Sequence, residues 1–196
     1  MRLAIAAHTA AHLGGTETYL AAIIPALVAR GHGVAFCCEA LAESAEAMAL
    51  PDGVPRWRLP EAMEFLRAWR PDVVFVHGLR SPRLEASLLG LAPAVLFAHS
   101  YYGTCISGSK TWSVPRPVPC TRRFGPACLA HFYPHRCGGL GPASLVRGYR
   151  VQARRLALLP RYRAIAVFSE HMRAEYARHG LGHKVVTLPA VAPAAP

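Results

Sequence analysis

Two groups of residues in this chain have types and spacing suited to chemistry. The first lies at the expected carboxyl ends of strands. His8 follows RLAIAA, His77 follows DVVFV and His99 follows AVLFA. Gly14 and Gly15 come after the first of these runs and open the apolar-periodic stretch TETYLAAIIPALVARGHGV. A helix begun there directs free backbone N–H groups and the positive end of its dipole at the gap, which suits an anionic ligand. The loop reads HLGGTE and lacks the G-x-G-x-x-G dinucleotide fingerprint, with Glu39 a weak ribose-binding candidate. Two glycines can also simply turn the chain. His99 precedes Ser100, Tyr101 and Tyr102, where an imidazole could bond a sugar hydroxyl or a phosphate and change charge near neutral pH. The competing reading of all three histidines is a core residue bonded to a backbone carbonyl. Glu17, Asp72 and Glu170 are the acids expected nearest this edge, and Glu17 would equally well stabilise the start of its helix.

The second group is Cys105, Cys120, Cys128 and Cys137, spaced C-x14-C-x7-C-x8-C. Four thiolates can close a tetrahedral zinc site, although the spacing lacks tight C-x-x-C knuckles. His131 and His135 are substitute ligands. Cys37 and Cys38 lie in an expected strand and read as small buried hydrophobes. No Ser-His-Asp arrangement is readable. No Asp or Glu lies between Glu85 and Glu170, so paired-carboxylate catalysis from that stretch is excluded.

The elements that position these groups alternate. Strands are expected at RLAIAAH, 34–39, 54–60, 72–78, 94–100, 164–169 and 184–189. Helices are expected over the stripe Tyr19, Leu20, Ile23, Ile24, Leu27 and Val28, then 61–69, 81–90, 144–159 with Ser144 as N-cap, and Ser169 to Gly180. This alternation predicts an α/β fold, a Rossmann-like open parallel sheet with helices on both faces. In such sheets ligands sit outside the carboxyl ends of the strands. Residues 101–143 break the pattern with six Gly, six Pro and four Cys, and an irregular stretch of that length tends to be functional.

The 196 residues fit one domain, with ample apolar content for a core. No apolar run approaches a membrane span, and the amino terminus reads as a strand and not a signal peptide. A cytoplasmic protein is expected, which disfavours disulfides. The net charge of +11 is uneven: all eleven excess charges fall within 86–169, and the rest of the chain is neutral. That segment suggests an anionic partner, such as a nucleic acid, an acidic membrane surface or a phosphate-bearing substrate, or else a solvated basic face. Aromatics are few among its arginines, so a stacking platform for single strands is absent and nucleic acid is not expected.

LGGTETYLAAIIPALVARGHGV, RPDVVFVHG, the strand ending AHSYYG, and AVFSEHMRAEYARHGL followed by KVVTLPAV together resemble the amino-terminal domain of glycosyltransferase family 4. The segment from YYGTCISGSK through RCGG resembles a Cys-containing insertion of some bacterial members. The resemblance implies a GT-B fold and a retaining transfer of a sugar from a nucleotide-sugar donor to an acceptor hydroxyl, with no cofactor required. It assigns residues 1–192 to the acceptor-side domain with an insertion at 101–143, and it leaves the donor-binding domain with its E-x7-E element outside these residues. Carried over residue by residue, Gly14, Gly15 and Thr16 approach the donor phosphates and His99 contacts the transferred sugar as the catalytic-site residue. Glu17, Tyr101, Tyr102 and Lys110 become acceptor-side candidates. Lys110, Arg122, Arg123, Arg150 and Arg154 would face an anionic acceptor or the inner membrane surface. Such a half-enzyme is expected to be inactive alone. A reading from a different class is a non-catalytic module, stapled by zinc at the four cysteines, that docks on an anionic partner.

Overall fold

The computed structural model describes residues 1–11, 14–41, 47–139 and 141–188. His12 and Leu13 of the glycine loop, and Pro189, Ala190 and Val191 of the expected chain end, lie outside the described residues. The chain divides into two compact units. One is Met1–Phe97 with Tyr162–Ala164; the other is Ala98–Arg161 with Ile165–Leu188.

The first unit is a parallel sheet. Strands β1 (Arg2–Thr9), β2 (Gly33–Ala40), β3 (Arg56–Arg58), β4 (Val73–His77) and β5 (Ala94–Ala98) pair in the order β3-β2-β1-β4-β5. Ala4–Ala7 and Val34–Cys38 are all buried, as strands covered on both faces must be. Strand alternation turns Ile5, Ala7, Val34, Phe36 and Cys38 into one cluster. Helix α1 (Gly15–Ala29) closes that cluster with Leu20 and Ile24, the innermost members of the expected stripe; Ile23, Leu27 and Val28 pack at its margin. Gly31, at a φ of +79° that only glycine adopts freely, stops α1. Helix α2 (Ala62–Trp69) ends at Arg70, before Pro71. Helix α3 (Pro82–Leu88) starts on Ser81, whose hydroxyl accepts from the Leu84 N–H.

The second unit holds a short antiparallel pair, β6 (Thr111–Trp112) and β7 (Val118–Pro119), then helices α4 (Ala127–His131) and α5 (Pro142–Leu158). Strands β8 (Ala164–Val167) and β9 (Val185–Thr187) are parallel and flank helix α6 (Glu170–Arg178) in sequence. Ser169 caps α6 as expected, accepting from the Met172 N–H. Ser144 does not cap α5. The cap is Gly141, because Pro142 supplies a first-turn φ with no N–H to satisfy, and this moves the start ahead of Ser144.

Parallel strands alternating with helices give the Rossmann-like α/β architecture that the sequence pattern implies. Among the described residues no helix is long and apolar enough to cross a membrane.

Candidate functional site

Gly14 and Gly15 sit where the sequence places them, between the carboxyl end of β1 and the first turn of α1, and both are exposed. Gly14 is extended and offers no side chain to cap the helix, so the first-turn amides have no side-chain acceptor at the cap. Neither glycine is required by a positive φ. A Cβ on Gly15 would meet nothing within 4 Å among the described residues. Its missing side chain therefore leaves open space beside the amides and relieves no crowding within the fold. Glu17 is buried, and its carboxylate folds back so that Oε2 lies 3.6 Å from where a Gly14 Cβ would be. This is the helix-start role, with a negative charge held over the positive end of the dipole.

The parallel register sets Ala7 against Cys38 and Thr9 against Ala40, which brings His8 beside Glu39. Nδ1 of His8 lies 3.0 Å from Oε2 of Glu39, and the Glu39 carboxylate also accepts from the backbone N–H groups of Arg80 and Ser81. Glu39 is thus engaged in orienting an imidazole and in holding the turn before α3. His77 is a core residue, edge-on to Phe75 with centroids 4.2 Å apart and to Phe97 at 5.7 Å. Asp72 lies before the first residue of β4, at the opposite end of the strand from His77, and accepts from the Arg2 N–H. That removes it from the carboxyl-terminal edge. Burial pushes the Cys37 thiol up to about 12 and Cys38 to about 11, as expected of inert core cysteines.

His99 in the second unit is half-buried, with its ring edge-on to Phe168 at 5.3 Å. Burial lowers its pKa to about 4. The expected change of charge near neutral pH is therefore corrected: His99 is a neutral imidazole, able to donate and accept but not a cation. Tyr101 is half-buried beside His171. Tyr102 is buried under the Arg155 guanidinium, 4.0 Å above its ring, and its carbonyl accepts from the Tyr176 hydroxyl. Its ring is a packing surface. Glu170 is exposed in the first turn of α6 and accepts from the Thr187 hydroxyl, which lowers its pKa.

Lys110 is likewise no surface cation. It is 3% exposed, and its ammonium lies 2.5 Å from Oε1 of Glu175 and donates to the carbonyls of Thr104 and Arg122. Oε2 of Glu175 holds Arg178 at 3.1 Å. His179 completes this cluster. Its Nε2 accepts from the Phe124 N–H, so its proton is on Nδ1, which donates to the Glu175 carbonyl. Burial holds the pKa of His179 low, in keeping with a neutral ring. Arg122, Arg123, Arg150 and Arg154 are exposed.

All four clustered cysteines line one small cavity of the second unit, of about 30 Å³, together with His131, Lys110 and Arg122. None is in a disulfide. Burial, then the neighbouring Cys120, Cys105 and Cys128, pushes the Cys137 thiol up to about 11. Among the described residues, no three His, Cys, Asp or Glu side chains already converge as a metal site.

Sequence reasoning missed the His8–Glu39 pair and the buried cluster around Glu175. The first was available from strand register. The second joins residues 65 positions apart through irregular backbone, for which no periodicity exists.

The family model Glycosyltransferase Family 4 matches residues 13–190. Among solved structures, the chain resembles the lipopolysaccharide outer core galactosyltransferase WaaB in its apo form, with a TM-score of 0.52 and 10% identity. The match covers 96% of this chain and 45% of that one, so the chain spans a little under half of the structure it resembles. No curated protein matches the chain.

Proposed function

The chain belongs to glycosyltransferase family 4, and from that premise we propose that its 196 residues form the acceptor-side domain of a retaining glycosyltransferase. In this reading a nucleotide sugar is the donor, and its anomeric carbon–oxygen bond to the diphosphate breaks as the acceptor hydroxyl takes the sugar. Negative charge gathers on the departing diphosphate. The uncapped amides of Gly15 and Thr16 are donors of the kind that stabilises such charge. Neutral His99 bonds a hydroxyl of the transferred sugar, and Tyr101 lies on the acceptor side. Exposed Arg122, Arg123, Arg150 and Arg154 meet an anionic acceptor or membrane surface. The protein works in the cytoplasm, against the inner membrane face.

One observation carries the phosphate assignment: a Gly15 Cβ would meet nothing within 4 Å among the described residues, although the residue begins a helix that any residue could begin. The space suits close approach by a ligand. Donor and acceptor must be held together for transfer. The structure resembled here is more than twice as long, so these residues alone are expected to bind weakly and to turn over no nucleotide sugar.

Gly15→Leu is the test. It should abolish binding of a nucleoside diphosphate, read by isothermal calorimetry, and leave the thermal midpoint of the chain within a few degrees of wild type. Unchanged binding would overturn the phosphate assignment, and sustained turnover by the wild-type chain would overturn the half-site reading.

A further inference from the structure

We propose that Cys105, Cys120, Cys128 and Cys137 form a tetrahedral thiolate site for one zinc ion, which holds the second unit's irregular segment in place. The thiols reach one cavity from four separate points: a turn after β5, the residue after β7, helix α4 and the turn beyond it. The cavity holds about 30 Å³. That is room for a single ion and far too little for a sugar or a nucleotide.

Three further features support an ion there. The thiols are unbridged and half-buried, and two of them make long contacts. Cys128 Sγ reaches the Arg123 carbonyl and Cys137 Sγ the His131 carbonyl, each at 3.8 Å. Charge also matches. A zinc ion with four thiolates carries two excess negative charges, and the wall they meet carries Arg122 and the Lys110 ammonium that Glu175 shares. Finally, the segment lacks a core of its own. From Tyr101 to Gly139, the buried hydrophobic residues are Tyr102, Phe124 and Phe132. A structural metal is a common substitute for apolar burial in so small an irregular unit. The sulfurs line the cavity without converging at ligand distance, and binding would draw them inward from the wall. Zinc takes the thiolate forms, so four protons leave as four Zn–S bonds form, with no change of oxidation state.

The experiment uses the full chain, expressed with zinc in the medium and purified without chelator. Elemental analysis should find about one zinc per chain. Thiol titration of the native protein should find these four cysteines protected, and a chelator should release the metal and expose them together. Cobalt in place of zinc should give thiolate-to-cobalt charge transfer and the visible bands of a tetrahedral site. Cys105→Ser or Cys137→Ser should lose the metal, whereas Cys37→Ala, in β2, should retain it. The cobalt spectrum and the thiol count need no variant, so a misfolded serine variant leaves the test intact. Protein with less than a tenth of an equivalent of zinc and four freely reactive thiols overturns the proposal. A disulfide between any two of the four does the same.

Discussion

The ammonium of Lys110 lies 2.5 Å from a carboxylate oxygen of Glu175, and both residues are buried. This pair joins the irregular segment to α6 within the second unit. Removing one partner strands a buried charge. Lys110→Ala should therefore destabilise the protein by about 3–5 kcal/mol, read as a lowered urea midpoint. Lys110→Met with Glu175→Leu should lose less than the two single changes added together. A Lys110→Ala variant of wild-type stability would show that this charge is not held inside the fold.

A second buried carboxylate accepts from a tyrosine. The Tyr162 hydroxyl donates to Oε1 of Glu85 at 2.6 Å, and both side chains are fully buried. Tyr162→Phe keeps the ring and removes the donor, so it should cost about 1–3 kcal/mol. A chemical denaturation curve at neutral pH measures this. Glu85→Gln in the same background should recover part of the loss.

His99 gives a pH prediction. Its pKa is about 4 in the fold against the usual 6.5, because burial disfavours the charged ring. Between those values the unfolded chain binds more protons than the folded one. Stability should therefore be flat above about pH 6.5 and fall as pH drops toward 4. The NMR titration of the His99 ring should show no midpoint between pH 5 and 8. A midpoint near 6.5 would contradict a neutral His99.

Glu17 provides a further test at the glycine turn. Its carboxylate sits over the start of α1, where an arriving phosphate would meet its charge. Glu17→Gln should raise affinity for inorganic phosphate or a nucleoside diphosphate several-fold, at about 0.3–1 kcal/mol of helix stability. Calorimetric titration and thermal unfolding separate the two effects. Weaker anion binding by the variant would contradict this arrangement.

Most of the fold was legible because the strands are buried runs and the helices carry stripes. Leu20 and Ile24 face the core as their spacing demands, and Ser169 caps α6. The glycine turn was legible for the same reason, since it falls where a buried run meets a stripe. What failed depended on contacts across long separations. Lys110 reads as a surface cation until Glu175 is set beside it, and Tyr102 reads as an acceptor-side residue until Arg155 covers its ring. Asp72 falls away from the ligand edge because it precedes the strand whose carboxyl end carries His77, a direction that DVVFVHG itself displays. His99 was placed in sequence, but its charge state follows from burial, which its neighbours in the chain do not report.

The most direct test of the sugar-transferase reading is amide NMR of the ¹⁵N-labelled chain titrated with a nucleoside diphosphate. The reading predicts saturable shifts at Gly14, Gly15 and Thr16, with a dissociation constant of about 1 mM or weaker, as befits half of a site. Saturable shifts confined to other parts of the chain, or no shift at these three amides at several millimolar ligand, would contradict it.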